Sequence, residues 1–407
     1  MKKIHLLFYF SFYFCIGKAQ IAAVFMDGAT DETKAQTGIT ADYFVNASSL
    51  TTNFINKFYK GGYIDAALKD QVRTRTKNSN RLGAELNYGL FTTFKLDSLF
   101  HKNSFHLFFF FFYRQHIDAH FSKDFYNVGF YCNAIYSGQK SDIGNFSLNL
   151  IRYQQFQVGL FSTKLDSGAR WGIALSFLKG EQYYSILAKK AELFTSTDAQ
   201  YIDFDTEIEM AQSNPNNKGL NAVNGIGVGM DIYFEAPFQT GIGDSKLAVS
   251  VADIGLIRFS DQSIYRSQDS LFHYSGFQVK SIFDLQDSVF LNTSQDSIQS
   301  KILPSKKRSV TLTLPSTLNL SFETALNKHF HLTEGIRYIF NANYKLLAYL
   351  KGSVYFNKNF MTSVTIGYGG YAGFNCGIGL GANLGGGFSI FAGSNNLEGY
   401  IATSKTA

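Results

Sequence analysis

The last quarter of the chain alternates apolar and polar residues over several consecutive stretches. From Val310 to Phe322 the even positions are apolar except for Ser316, whereas the odd positions hold Thr, Asn, Ser and one Pro. The same period of two returns in Leu346–Phe356, Phe360–Tyr368 and Phe374–Leu384. A period of two is that of a β-strand with two different faces. Successive strands of this kind, joined by short turns, predict an antiparallel meander that closes the wall of a transmembrane β-barrel.

The composition favours a barrel over a helical membrane protein. The 407 residues include 41 Phe, 24 Tyr and 36 Gly but only 4 Pro, a balance that suits continuous strands. The mean hydropathy is −0.06, as expected when lumen-facing polar residues offset lipid-facing apolar ones. The net charge of +6 is spread along the chain, and the short cluster Lys306-Lys307-Arg308 is typical of a solvated turn. We therefore expect no nucleic-acid partner.

The first 19 residues have the features of a secretory signal peptide. Two lysines precede the apolar run Ile4–Ile16, and Gly17 and Ala19 are small residues placed for cleavage after Ala19. An uncleaved helical anchor is the alternative, but the run of about 13 residues is shorter than the roughly 20 that a span needs. Export combined with amphipathic strands predicts a Gram-negative outer-membrane protein that contacts outer-membrane lipid.

Residues 20–81 do not show the pattern of a barrel wall. Two helix-like stretches lie within them, at Thr52–Lys60 and Ile64–Val72. Ser48 or Ser49 is the expected cap of the first helix, and Asp65 is the expected start of the second. The apolar residues of both helices need burial, which favours an ordered, partly helical plug over a disordered tether.

The barrel wall is predicted over residues 82–400, with about 14 strands, give or take two, from sixteen candidate segments. The expected strands are Leu82–Leu96, Phe105–Phe121, Val128–Tyr136, Tyr153–Leu165, Trp171–Lys179, Tyr183–Lys190, Glu192–Glu209, Ile226–Phe234, Leu247–Phe259, Leu271–Phe283, Val310–Phe322, Phe330–Asn341, Leu346–Phe356, Phe360–Tyr368, Phe374–Leu384 and Gly387–Ala392. The polar segment 284–307 is the longest loop candidate and is expected to be extracellular, because outer-membrane barrels keep long loops outside.

Strand parity identifies polar side chains that would face the lumen. On Phe105–Phe121 the charged residues share one face with alternate phenylalanines, and the glycines of the last strands lie mainly on the lumen face, where they would leave room for a plug or a cavity. The lumen or plug candidates are Asn46, Ser48, Ser49, Arg114, His116, Asp118, His120, Arg337, Lys345, Tyr349 and Lys351. Register decides each assignment, because a one-residue slip turns a side chain outward.

No catalytic, cofactor or metal site is expected. The chain lacks the Gly-x-Ser-x-Gly turn of a nucleophilic serine. His116, Asp118 and His120 share a strand face, but steps of about 6–7 Å along a strand are too long for one ion. The glycine-rich stretch 367–387 lacks the Lys-Ser/Thr pair of a phosphate loop. We therefore do not expect an enzyme.

Three short segments resemble a known group of proteins. Phe44–Ser49 is similar to the Asn-Pro-Ala signature that opens FadL-type barrels, with Ala47 in place of the proline. Ser250–Ile257 resembles the Asp-Ile/Leu-Gly strand of an uncharacterised Bacteroidota outer-membrane family, and Gly387–Leu397 resembles the end of the same family. The resemblance covers most of residues 20–400 and implies a FadL-like or PorV-like barrel of 14 strands with an N-terminal plug. It implies no particular substrate.

Two functions of different classes remain open at this point. The first is FadL-like passage of hydrophobic or amphipathic small molecules, favoured by the plug-like segment and by aromatic lumen residues such as Phe108, Phe110, Phe112 and Tyr349. The second is a non-transporting accessory barrel in protein secretion or surface-complex assembly, favoured by the long loop and the PorV-like resemblance. The first implies a hydrophobic ligand, and the second implies a protein partner from a secretion system.

Overall fold

A computed structural model describes residues 9–14, 34–96, 105–163, 168–275, 304–357, 359–385 and 388–397. Within these residues nineteen strands form one sheet, accompanied by three α-helices and a 3₁₀ helix at Asn133–Tyr136. The strands are β1 (Tyr9–Phe14), β2 (Ala35–Ala47), β3 (Asn80–Lys95), β4 (Phe105–Phe121), β5 (Lys140–Asp142), β6 (Phe146–Ser162), β7 (Arg170–Thr195), β8 (Ile202–Gln212), β9 (Gly225–Gln239), β10 (Asp244–Phe259), β11 (Ile264–Tyr274), β12 (Ser305–Lys307), β13 (Val310–Thr313), β14 (Thr317–Ala325), β15 (Phe330–Ile339), β16 (Lys345–Asn357), β17 (Phe360–Gly370), β18 (Gly373–Gly385) and β19 (Phe388–Ser394). The helices are α1 (Thr52–Lys60), α2 (Ala66–Arg75) and α3 (Lys123–Tyr131).

The sheet closes on itself, so the fold is an all-β, antiparallel transmembrane barrel, as the alternation predicts. The circuit runs in antiparallel steps through β2, β3, β4, β6, β7, β9, β10, β14, β15, β16, β17, β18 and β19. β1 then joins β19 to β2 and is parallel to both. Fourteen of the described strands thus make up the closed circuit, in line with the expected number of about 14. The total of nineteen is larger because β5, β8, β11 and β12 extend beyond the wall, while β13 and β14 share one wall position on β10. β1 lies inside the predicted leader, whose cleavage stays a prediction.

Alternation decides which side chains face lipid. On β4, Phe108 and Phe110 are 5% exposed, whereas Phe109 between them is 43% exposed. The exposed apolar side chains of neighbouring strands lie side by side in the same way, as with Phe156, Phe177 and Val228 on β6, β7 and β9. An apolar belt of this extent around a closed barrel is the surface that a bilayer covers.

The two ends of the barrel differ in their connections. At the end that we call the helix end, residues 48–79 join β2 to β3, and residues 122–145 join β4 to β6. At the opposite end, called the hairpin end, residues 240–243 join β9 to β10, and residues 326–329 join β14 to β15. The segment 284–303, most of the predicted long loop, lies outside the described residues.

The helices form a small cap at the helix end. Thr51 caps α1 by accepting a hydrogen bond from the Phe54 N–H at 3.2 Å, so the expected caps Ser48 and Ser49 are wrong. Asp65 caps α2, as predicted, through a 2.8 Å bond from the Leu68 N–H. Phe54, together with residues of α2 and α3, packs on the ends of β4 and β6. None of the described helices is long and apolar enough to cross a membrane.

Of the predicted plug segment 20–81, residues 20–33 lie outside the described residues, and residues 34–81 differ from the expected plug. Its residues 35–47 are the wall strand β2, paired with β3 along their whole length. Its two helices lie in the connection after β2 and contact α3 instead of filling the lumen. The pattern missed β2 because small residues such as Ala41 and Gly38 give its two faces little contrast.

A polar sheet extends from the wall at the helix end. β7 continues past the wall and pairs with β8, which pairs with β11. Ion pairs tie the sheet together, including Lys189 to Glu209 at 2.7 Å. The predicted strand Glu192–Glu209 spans the turn between β7 and β8, and the predicted strand Val128–Tyr136 falls on α3 and the 3₁₀ helix. Both predictions are wrong. The first joins the ends of two strands across a turn, and the second fails because apolar residues in short runs do not by themselves distinguish helices from strands.

Candidate functional site

One side of the barrel lumen contains a cavity of about 290 Å³. It lies against the inner faces of β14 to β19, with contributions from β2, β9 and β10. Several inward positions of β17 and β18 are small, among them Ser363, Thr365, Gly367 and Gly379. The cavity therefore exists because these strands present little side-chain volume to the lumen, as their glycine pattern predicts.

The other side of the lumen is filled. Phe108, Phe110 and Phe112 of β4 pack with Phe91 and Phe161 in a buried cluster. The rings are close, with Phe108 and Phe110 centroids 5.0 Å apart. The phenylalanines expected to line a passage thus form a core inside the barrel, whereas Tyr349 lines the cavity.

A salt bridge crosses the lumen between Arg114 of β4 and Asp253 of β10. Arg114 Nη1 lies 3.1 Å from Asp253 Oδ2, and both side chains are less than a tenth exposed. Gln157 and Asp231 continue the polar contacts, because Gln157 Nε2 donates to Asp231 and Asp231 accepts from the Asp253 N–H. Buried charges of this kind are tolerated only when they are paired.

Asp253 belongs to the Asp-Ile-Gly segment that the resemblance singles out. Its φ is +60°, in the left-handed region, and the pairing of β10 with β9 shifts register between Val251 and Ile254. Asp tolerates this conformation better than most residues do. The bulge turns Asp253 into the lumen, and on the other flank of β10 the wall is interrupted at Pro315, between β13 and β14.

Two further predicted residues make contacts inside the wall. His116 Nδ1 lies 3.1 Å from Glu85 Oε1 on the adjacent strand. Asp118 accepts a 2.8 Å hydrogen bond from the N–H of Asn343, which lies in the turn between β15 and β16 across the lumen. These contacts and the Arg114–Asp253 bridge tie β4 to β3, β10 and the β15–β16 turn.

Ion pairs border the cavity towards the hairpin end. Glu235, which is 5% exposed, lies 2.9 Å from Arg170 and 3.7 Å from Lys246. Lys246 also approaches Glu323 at 3.6 Å, and Glu323 lies 3.0 Å from His331. Because its carboxylates are shared between basic residues, this border of the cavity is polar without a large net charge.

Aromatic rings and amides close the cavity towards the helix end. Tyr371, in the turn between β17 and β18, is 2% exposed and packs against Tyr344 at 5.1 Å and Phe44 at 6.4 Å. Gly83 of β3 makes room for it, since a Cβ there would lie 2.0 Å from the Tyr371 ring. Asn46 Nδ2 donates to Asn375 Oδ1 at 2.9 Å beside these rings.

The remaining predicted residues have different positions. Arg337 and Lys351 line the cavity with Tyr349 and Asn46. Ser48 bonds to Arg81 beyond the end of β2, Ser49 is fully buried, and His120 contacts Ser79 and Asn145 at the helix end. Lys345 is exposed at the start of β16, next to a register shift in its pairing with β17, and it is not among the residues that line the cavity, so its assignment to the lumen stays a prediction.

Sequence reasoning missed Tyr371, Asn375 and Asn343. Tyr371 and Asn343 lie in tight turns, outside the strands to which parity applies. The glycines on both sides of Tyr371 were the available signal, because Gly370 and Gly373 both have positive φ and mark a turn that no other residue forms easily.

Comparisons with known proteins extend the description of the fold. The model of a family of unknown function, DUF5723, matches residues 32–395. Among curated proteins no match was found. The structure is similar to the translocator domain of the autotransporter NalP from Neisseria meningitidis, with 9% identity, a TM-score of 0.38 and coverage of 88% of this chain and 90% of that one. It is also similar to a TodX deltaS2S3 mutant monoaromatic hydrocarbon channel, with 8% identity, a TM-score of 0.40 and coverage of 91% and 86%.

Proposed function

The chain belongs to the DUF5723 family of unknown function, and we propose that it is an outer-membrane barrel that binds a small amphipathic molecule in its lumen and passes it on. The observation that supports this most directly is the cavity, because the described residues on the other side of the lumen form a packed aromatic cluster. A volume of about 290 Å³ is close to the lower limit of about 300 Å³ for small-molecule sites.

The two walls of the cavity differ in chemistry, which favours an amphipathic ligand. Asn319, Ser321 and Glu323 of β14 give one wall hydrogen-bonding groups. Met361 and Phe391, on β17 and β19, give the other wall apolar surface. A ligand with one polar and one apolar side would satisfy both walls, whereas a simple hydrocarbon would leave the polar wall without partners.

The location and orientation follow from the same proposal. Barrels with an apolar outer belt belong to outer membranes, and their long connections face outward. The helix end would then face the exterior, and Tyr371 would cover the lumen there. Passage would require this turn or the β4 contacts to move.

Native mass spectrometry of the barrel from its own membrane would test binding. We expect one small molecule retained per chain, and we expect Thr365→Trp to expel it, because this residue faces the cavity. The matched control is Val364→Trp, one position along on the lipid face, where the side chain is 56% exposed. A barrel without ligand, or a ligand that both variants retain, would contradict the proposal.

A second candidate function is an accessory barrel with a protein partner. Exposed aromatic side chains on α1 and just after it support this function. Phe58, Tyr59 and Tyr63 are 63%, 88% and 84% exposed. Aromatic side chains are enriched in protein interfaces. A stable protein complex in the same mass spectra, lost when Tyr59 and Tyr63 are changed to Ser, would favour this function over ligand passage.

A further inference from the structure

Within the cavity, the end near Tyr371 contains a buried hydrogen-bond acceptor with a fixed orientation. Asn46 is 5% exposed and lines the cavity. Asn375 Nδ2 donates to the carbonyl oxygens of Gly373 and Gly369 at 2.9 Å and 3.4 Å. Because a carbonyl can only accept, Asn375 must direct its own Oδ1 towards Asn46, which donates to it at 2.9 Å.

This arrangement leaves Asn46 Oδ1 as a buried acceptor on a residue that lines the cavity. Among the described residues no donor lies within hydrogen-bond distance of it. A buried amide oxygen without a donor costs about 1–3 kcal/mol, so a ligand that donates a hydrogen bond there would recover this energy. Nearby, Asn396 lines the same cavity, and its buried Nδ2 also has no acceptor among the described residues.

The surrounding residues narrow the class of donor. Arg337 borders the same end, with its guanidinium over the Tyr344 ring at 5.9 Å, and a cation there disfavours an ammonium group. A carboxylate or a phosphate diester has no proton to donate to Asn46. A hydroxyl group is neutral and can donate to one amide while accepting from another.

The aromatic rings favour hydroxyls carried on a ring. Tyr371, Tyr344 and Phe44 lie together beside Asn46, and flat faces of this kind pack against the C–H face of a saturated ring. We propose that this end of the cavity is a subsite for a saccharide-like, hydroxyl-bearing ring, with Asn46 Oδ1 as the acceptor. The inference rests on the proposed function, for which it names the polar part of the ligand.

The test compares two ligands with the same ring and chain, one with four hydroxyl donors and one with four methyl ethers in their place, and the Asn46→Ala variant separates the loss of donors from the added methyl volume. Wild-type barrel in phosphatidylcholine nanodiscs is titrated with n-octyl β-D-glucoside and with its tetra-O-methyl derivative, which keeps the ring and the chain but has no hydroxyl. We expect the glucoside to bind about fivefold to tenfold more tightly, the contribution of one buried hydrogen bond. Equal affinity for the two, or binding of neither, overturns the inference.

Variants assign the effect to the subsite. Asn46→Ala should bring the ratio of the two affinities to about one, and Asn396→Ala should reduce it. Asn149→Ala is the control, because this exposed amide on β6 is not among the residues that line the cavity and accepts a hydrogen bond from Ser185. A wild-type ratio that survives Asn46→Ala would overturn the assignment, and heat-modified migration in gels checks that each variant is folded.

The outcomes separate the inference from the proposed function. If the two glycosides bind equally but Thr365→Trp abolishes both, the cavity holds amphipathic molecules and only the hydroxyl subsite is wrong. If neither binds and native mass spectrometry finds the barrel without ligand, both the subsite and the proposed function are wrong.

Discussion

At the residue scale, single side chains decide how much of the lumen is open. Arg114 and Asp253 span it, and Tyr371 covers one end of the cavity. The salt bridge depends on the backbone bulge with positive φ at Asp253. The position of Tyr371 depends on Gly83, which leaves room for the Tyr371 ring. Substitutions at these positions should therefore act on packing across the lumen.

Removing one member of the cross-lumen bridge should destabilise the barrel. Asp253→Ala leaves the Arg114 guanidinium buried without its carboxylate, and such changes cost about 3–5 kcal/mol. Guanidinium unfolding of the barrel in liposomes measures this loss. The double variant Arg114→Met with Asp253→Ala is the control, since it removes both charges and should lose clearly less. Equal losses in the two would contradict a direct pairing.

A methyl group at position 83 should displace Tyr371. Gly83→Ala places a Cβ 2.0 Å from the ring, so either the turn moves or β3 shifts. We expect lower stability and faster reaction of Tyr371 with a tyrosine-labelling reagent. Gly352→Ala is the matched strand control, because nothing lies within 4 Å of its Cβ. Unchanged labelling of Tyr371 in Gly83→Ala would show that the ring does not cover the cavity.

At the element scale, the strands that close the barrel differ from the others. β4 has seventeen residues and β19 has seven, while β1 contributes six residues and the only parallel pairings among the described strands. A short strand makes fewer hydrogen bonds to its neighbours, so it separates from them more readily in local opening. Residues of β19 and β2, including Phe391 and Phe44, also line the cavity.

Hydrogen exchange should therefore be fastest along this junction. We expect amides of residues 388–394 to exchange at least about tenfold faster than those of residues 105–121, because local opening there breaks few pairings. Exchange measured by mass spectrometry on the barrel in nanodiscs gives both rates. Similar protection in the two segments would mean that the junction is as stable as the rest of the wall.

At the scale of the whole molecule, the apolar belt surrounds the membrane-spanning wall, and the polar sheet extends beyond that wall. Leu175 on β7 and Leu271 on β11 are both outward leucines, 61% and 65% exposed. Leu175 lies between wall strands, whereas Leu271 lies on the polar sheet beyond the wall. The same exposed fraction therefore means contact with lipid at Leu175 and contact with water at Leu271.

A charge at these two positions should reveal the boundary. Leu175→Arg is expected to cost about 2–4 kcal/mol, the cost of a basic residue facing the middle of a bilayer. Leu271→Arg should change stability by less than about 0.5 kcal/mol, as at an ordinary surface site. Guanidinium unfolding from liposomes compares them. Equal effects would place the extension inside the membrane or the belt outside it.

The sequence by itself determined the barrel class, the lipid-facing belt and the positions of most strands. Alternation of period two is a local property of each strand. It arises because one face of the strand contacts lipid and the other faces a polar lumen. It also indicated Arg114, Asp118, Arg337 and Tyr349 as residues of the inner face. It failed at β2, where small residues weaken the contrast between the two faces of the strand.

Only the tertiary structure decided which inner side chains meet. Arg114 and Asp253 are 139 positions apart, and Asn46 and Asn375 are 329 apart, so no local pattern could pair them. The same holds for the cavity, whose walls come from both ends of the chain once the barrel closes. The physical reason is that strand faces follow from neighbouring residues, whereas contacts across a lumen follow from the registers of all the strands between them.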